Sequence, residues 1–184
     1  NKKTIIGIIG GVGSGKDTVA EYISNKLSIP SFQISQPLRD IAQENNIEPT
    51  RENLIMIGSN LVKEKGPDFL AKLAIDKIDN SLGIITGIRV LGVIDYLRQN
   101  ANFILLSIEA NPKIRFERSV IRNKLGEGKI LEEFIENEKK ENSAPNVQRL
   151  FECLELADYS IENNGNMEEL KEKVEEFLKT KSFI

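Results

Sequence analysis

Short apolar runs punctuate this chain, separated by longer amphipathic stretches of helical period. TIIGII (4–9) is rich in Ile and carries no charge, the composition of a strand buried on both faces of a parallel sheet rather than wet on one side. LGIIT (82–86) and FILLSI (103–108) repeat it, ADYSI (157–161) supplies a last strand, and SFQIS (31–35) reads as a weak strand or a loop. Helical period fills the intervals. DTVAEYISNKL (17–27) ends before Pro30, because a proline pushes the residue before it out of the helical region. Between Pro37 and Asn80 lie three helical pieces, PLRDIAQEN, TRENLIMIGSNLVKEK and DFLAKLAIDKI, broken near Asn46 to Pro49 and at Gly66-Pro67. A further helix runs through VIDYLRQ (93–99). Asn111 is placed to cap, and Pro112 to open, the helix KIRFERSVIRNK (113–124), which Gly126 and Gly128 interrupt. LEEFIENEKKEN (131–142) continues as an exposed helix and VQRLFECLEL (147–156) as an apolar-faced one. After the turn Asn163-Asn164-Gly165, Asn166 and Glu169 form a capping box for MEELKEKVEEFL (167–178).

Strands alternating with helices predict a three-layer α/β fold, a parallel sheet of about five strands covered on both faces. With 184 residues, the chain suits one domain over 1–184, with the helices of about 36–80 as an insertion between strands. Against 25 basic side chains stand 28 acidic ones. A net charge of −3 supplies no general pull toward nucleic acid or an anionic membrane, leaving small molecules as the expected partners, with the chain a monomer or homodimer. The longest apolar run, near Ile5 to Gly11, is far short of a bilayer span, and no leader pattern follows it, so a cytoplasmic protein is expected. One Cys and no His exclude an internal disulfide and a zinc site, and remove the usual general acid or base. Cys153 shares helical spacing with Leu150 and Leu154, the setting of a core thiol.

One stretch carries chemistry. GGVGSGKDT (10–18) places Gly10, Gly11, Val12, Gly13, Ser14 and Gly15 ahead of Lys16, matching Gly, four residues, Gly-Lys. The loop follows a buried strand and precedes a helix, where backbone N–H groups and the positive helix end can surround a phosphate while Lys16 reaches the terminal phosphates of a nucleotide. The spacing G-x-G-x-x-G of a dinucleotide fold is not met.

In these residues the chain resembles the P-loop nucleoside monophosphate kinase-like family, in its adenylate-kinase-related, deoxynucleotide monophosphate kinase-like and dephospho-CoA kinase-like branch. The likeness runs nearly end to end, through GGVGSGKDT, TRENLIMIGSNLVKEKGPDFLAKLAIDKI, IITGIRVLGVIDYLR, RFERSVIR and ADYSIENNG. The resemblance implies transfer of the γ-phosphoryl group of ATP, with Mg²⁺, to a nucleoside or deoxynucleoside monophosphate. It implies a lid over about 115–142, acceptor-phosphate contacts from Arg39 and Arg89, and an adenine contact from Asn163, where a plain turn residue fits nearly as well. Arg51 and Lys63 are weaker candidates, since a polar helix face carries such residues anyway. Arg115, Arg118 and Arg122 stand at i, i+3 and i+7, on one helix face, where an ion-paired surface face, with Glu117 nearby, is the alternative. Arg118 and Arg122 are the expected partners of transferring charge, with Lys16 and Arg89 completing the catalytic set.

The chain also departs from its relatives. Many carry Asp before the Gly at the end of LGIIT; here stands Thr86, which is neutral. Asp17 occupies the position of the usual metal-binding hydroxyl, so Asp17, with Thr18, is the candidate magnesium partner, and a capping role at the helix start is its alternative. Dephospho-CoA kinase is the competing enzyme, although no Asp-x-Asp pair follows the second strand. A nucleotide sensor or ATPase without an acceptor is the competing class.

Overall fold

The computed structural model of the protein describes residues 2–122 and 130–184. Five strands, β1 (Thr4–Ile9), β2 (Ser31–Gln33), β3 (Leu82–Thr86), β4 (Asn102–Glu109) and β5 (Tyr159–Glu162), form one sheet in the order β2-β3-β1-β4-β5. Every pairing is parallel, with Ile6 of β1 level with Ile84 of β3 and Ile104 of β4. The helices are α1 (Lys16–Leu27), α2 (Ser35–Glu44), α3 (Arg51–Lys65), α4 (Phe69–Asp76), α5 (Leu91–Asn100), α6 (Pro112–Ile121), α7 (Leu131–Glu141), α8 (Leu150–Glu155) and α9 (Met167–Thr180).

Strand alternation divides the core into two layers. Ile5 and Ile9 of β1, with Ile85 and Leu105, pack under α2 to α5 and against Cys153 of α8. Ile6 and Ile8, with Ile84, Leu106 and Ile108, pack under α1 and α9, where Val19, Ile23, Val174 and Phe177 close the layer. All the isoleucines of β1 are fully buried, each stabilising the fold by about 1.5–3 kcal/mol. Among the described residues no helix is long and apolar enough to cross a membrane.

SFQIS divides between two elements: Ser31–Gln33 is an edge strand on β3, and Ser35 opens α2 two residues ahead of Pro37. Pro37 falls in the first turn, where a missing N–H leaves no intrahelical bond unmade. The apolar-faced helix expected from Val147 starts only at Leu150. Arg149 N–H is drawn to the Arg89 carbonyl at 2.7 Å and Leu150 N–H to Asn142 Oδ1, so tertiary partners hold this segment out of the helix. Helix α6 ends at Ile121 rather than at Lys124. Residues 123–129, central to the expected lid, lie outside the described residues. The caps fall as expected: Asn111 Oδ1 accepts from Lys113 N–H, and Asn166 Oδ1 from the N–H groups of Glu168 and Glu169.

Candidate functional site

β1 lies at the centre of the sheet, and the chain leaves its carboxyl end into residues 10–15 before α1 begins at Lys16. This is the edge at which ligands of open α/β sheets bind. Gly13 (φ 75°) lies in the left-handed region, and a side chain there would collide with the backbone carbonyl of Arg115. Neighbouring elements hold the loop by its carbonyls. Asn163 Nδ2 donates to Ser14 O at 2.8 Å, Arg118 Nη1 to Gly13 O at 3.3 Å and Arg115 Nη1 to Val12 O at 3.3 Å. The first-turn N–H groups of α1 have no intrahelical partner, which makes this end of the helix a receptor for an anion. Ser14 Oγ, sealed from solvent beneath the loop, has no hydrogen-bond partner.

Beside the loop, a cavity of about 370 Å³ opens between the sheet edge, α2 and α3. Helix α3 faces it with Arg51, Leu54, Ile55, Gly58, Ser59 and Val62, a single stripe at helical spacing. Lys16 and Asp17 border it from the loop, Arg39 from α2, Arg89 from the segment after β3, and Gln148 from the approach to α8. Of the buried side-chain polar atoms without a partner, Ser59 Oγ, Arg89 Nη1 and Gln148 Oε1 all belong to residues lining this cavity. Unpaired buried polar atoms are uncommon in native proteins, and three of them converge on this one cavity. Burial, with the charge of Arg51 next in weight, lowers the pKa of Arg89 to about 10, so it stays cationic at neutral pH. Although residue 89 is not fully covered, its Nη1 is sealed.

Lys16 is largely covered, its Nζ 3.3 Å from Asp17 Oδ2, whereas the Asp17 side chain is 46% exposed. Thr18 lines a separate groove of about 200 Å³ between α1 and α9 with Tyr22 and Met167. Arg39 is exposed at the cavity mouth. The three arginines of α6 have different surroundings. Arg115 is buried in a bidentate pair with Glu138, at 2.7 and 2.9 Å. Arg118 reaches Gly13 O and, at 3.5 Å, Gly165 O, and burial and Arg122 both lower its pKa. Arg122 is exposed at the end of α6.

A divalent cation fits this donor set only in one way. Among the described residues no cluster of three or more His, Cys, Asp or Glu could hold a metal. Asp17 supplies one carboxylate beside Lys16, which suits Mg²⁺, an ion usually held by one or two carboxylates together with substrate phosphates. Thr86, buried at the end of β3, adds no charge.

Arg51 is a weak candidate in the sequence, and no motif singles out Ser59, Glu138, Glu141 or Gln148. For Arg51 and Ser59 the signal existed, since both fall on the α3 stripe; for Gln148 nothing local distinguishes it.

A central parallel sheet, a phosphate loop after its middle strand and a cationic cavity alongside define a nucleotide-binding P-loop protein of the kinase-like fold. The chain belongs to the AAA domain family, whose model matches residues 6–144, and to the UPF0200 family. It is 31% identical over 182 residues to the UPF0200 protein PH1008 of Pyrococcus horikoshii, covering 95% of each chain. It is 30% identical over 181 residues to a UPF0200/UPF0201 protein of Archaeoglobus fulgidus, of which it spans 54%, about half the length. Among solved structures it is similar to the shikimate kinase of Acinetobacter baumannii in complex with shikimate, with a TM-score of 0.62 over 97% of this chain and 94% of that one. At 14% identity that likeness is one of fold.

Proposed function

We propose that this protein is a kinase that transfers the γ-phosphoryl group of ATP to the phosphate of a nucleoside or deoxynucleoside monophosphate. The observation that carries the reading is the charge of the cavity: Lys16, Arg39, Arg51 and Arg89 line it, and Asp17 is the one carboxylate among its described lining. A hydroxyl acceptor needs a base to take its proton. A phosphate acceptor is already an anionic nucleophile and needs cations instead. With no His in the chain and a neutral Thr86 at the strand end, the cavity suits the phosphate.

In this reading the amides of residues 10–15 and Lys16 hold the donor phosphates, and Arg39 and Arg89 hold the acceptor phosphate. One acceptor oxygen bonds to the γ-phosphorus as its bond to the β–γ bridging oxygen breaks, and the leaving ADP carries the released charge. Arg118 of α6 and Arg122 just beyond its end neutralise that charge. Mg²⁺, bound through Asp17 and the donor phosphates, would supply further neutralisation.

A transfer screen with ATP and Mg²⁺ against all ribo- and deoxynucleoside monophosphates, dephospho-CoA and shikimate tests the reading. Turnover of at least one monophosphate is expected, and Lys16→Ala should lower it by about 10²–10³-fold with the fold intact. Turnover of dephospho-CoA or a hydroxyl acceptor alone would overturn the assignment, as would ATP binding with no acceptor used.

A further inference from the structure

Helix α7 carries two carboxylates three residues apart, and each grips an arginine from another part of the fold. Glu138 holds Arg115 at 2.7 and 2.9 Å, both side chains being only 10% exposed. This pair underlies the phosphate loop: a Cβ at Gly11 would fall 2.6 Å from Arg115 Nη1 and 2.8 Å from Glu138 Oε1, and the same Nη1 bonds Val12 O. Glu141 holds Arg51 through both carboxylate oxygens, Oε2 lying 2.6 Å from Nη2 and Oε1 meeting Nε. Arg51 is the first residue of α3 and lines the cavity. One helix therefore ties the donor loop to the acceptor wall.

Exposed ion pairs contribute little to stability, but these are bidentate and shielded, a geometry that fixes orientation as well as charge. An unrestrained Arg samples many rotamers, and ordering it is unfavourable. Arg51 also lies close enough to Arg89 for its positive charge to be the main charge acting against that guanidinium, while Glu141 and Glu138 act in the opposite sense. Without Glu141, Arg51 would lose its bidentate restraint, and its repulsion from Arg89 would no longer be opposed by that carboxylate.

We propose that Glu141 is a positioning residue for the acceptor phosphate: it fixes the Arg51 guanidinium beside Arg89 so that the two arginines form a ready-made receptor for a phosphate dianion. Through Glu138 and Arg115 the same helix sets that receptor at a constant distance from the phosphate loop. The proposal rests on the reading that the cavity takes the acceptor phosphate.

The test compares wild type, Glu141→Gln, Glu141→Asp and Arg51→Ala in full titrations of the monophosphate that wild type uses, with binding of a non-hydrolysable ATP analogue measured in parallel. Glu141→Gln should raise the KM for the acceptor about tenfold, the factor expected from leaving one long side chain to be ordered on binding, with kcat close to wild type and affinity for the ATP analogue unchanged. Glu141→Asp should recover part of the loss. In Arg51→Ala the Glu141→Gln change should have no further effect on KM. If Glu141 merely competes with the phosphate for Arg51, Glu141→Gln will lower KM instead, and the proposal fails while the function stands; an unchanged KM overturns it equally. If wild type uses no monophosphate at all, the functional reading falls, and the proposal with it.

Discussion

Replacing Asn163 with Ala distinguishes two roles for one side chain. The resemblance to nucleotide kinases assigns Asn163 to the adenine, whereas in the fold it is 6% exposed and its Nδ2 donates to Ser14 O at 2.8 Å. Ser14 is itself fully buried, so Asn163→Ala leaves its carbonyl without that partner and a small void beside it. An unpaired buried polar group costs about 1–3 kcal/mol, and in a domain of this size each kcal/mol lowers Tm by about 2–4 °C. Taking the middle of the range, Tm should fall by about 4–8 °C. Because the lost bond holds the loop, affinities for ATP, GTP and inorganic tripolyphosphate should fall together if that is the side chain's role. Calorimetric titration of the three ligands, with a thermal melt of the free protein, measures both effects. A loss confined to ATP, with Tm unmoved, would refute the loop-pin argument and return Asn163 to the adenine.

Asp17→Asn keeps the shape of the side chain and removes its charge; it should shift the Mg²⁺ titration of transfer to higher concentration, and an unaltered titration would reduce Asp17 to a residue of the helix start. On the opposite face, Glu175 accepts hydrogen bonds from Lys26 and Tyr22, joining α9 to α1, and these bonds lower its pKa below the ordinary 4.5. A carboxylate with a depressed folded pKa contributes stability above its unfolded value and loses it as pH falls through the folded one. The Tm difference between wild type and Glu175→Gln should therefore be present at neutral pH and vanish in strong acid; a difference that persists there would contradict it. Cys153 is fully buried, and burial is the main cause raising its thiol pKa to about 12. It should resist a thiol-specific disulfide reagent in the native protein and react at once in denaturant; rapid native labelling would refute this.

Some of this protein is written in contiguous residues. The Ile-rich runs of β1 and β3 admit burial on both faces and little else, Asn111-Pro112 and Asn166 carry their own capping chemistry, and GGVGSGKDT needs only its flanking strand and helix to become a phosphate loop. Such features depend on neighbours a few positions away, so periodicity and motif reveal them. The roles of the arginines are different. Arg115, Arg118 and Arg122 share a helix face in the sequence, yet Arg115 is a strut under the loop because α7 brings Glu138 to it, 23 residues on. Arg51 looks like an ordinary polar-face residue until Glu141, 90 residues away, holds it at the cavity. The start of α8 and the place of Gln148 likewise follow from bonds between Arg149 and Arg89 and between Leu150 and Asn142. By itself the sequence determined the layers, most element boundaries and the nucleotide loop, because local sterics and hydrophobic period decide them. Only the tertiary structure decided which cations line the cavity and which brace the fold, because a guanidinium takes its role from whichever carboxylate, carbonyl or cavity the chain brings within about 3 Å.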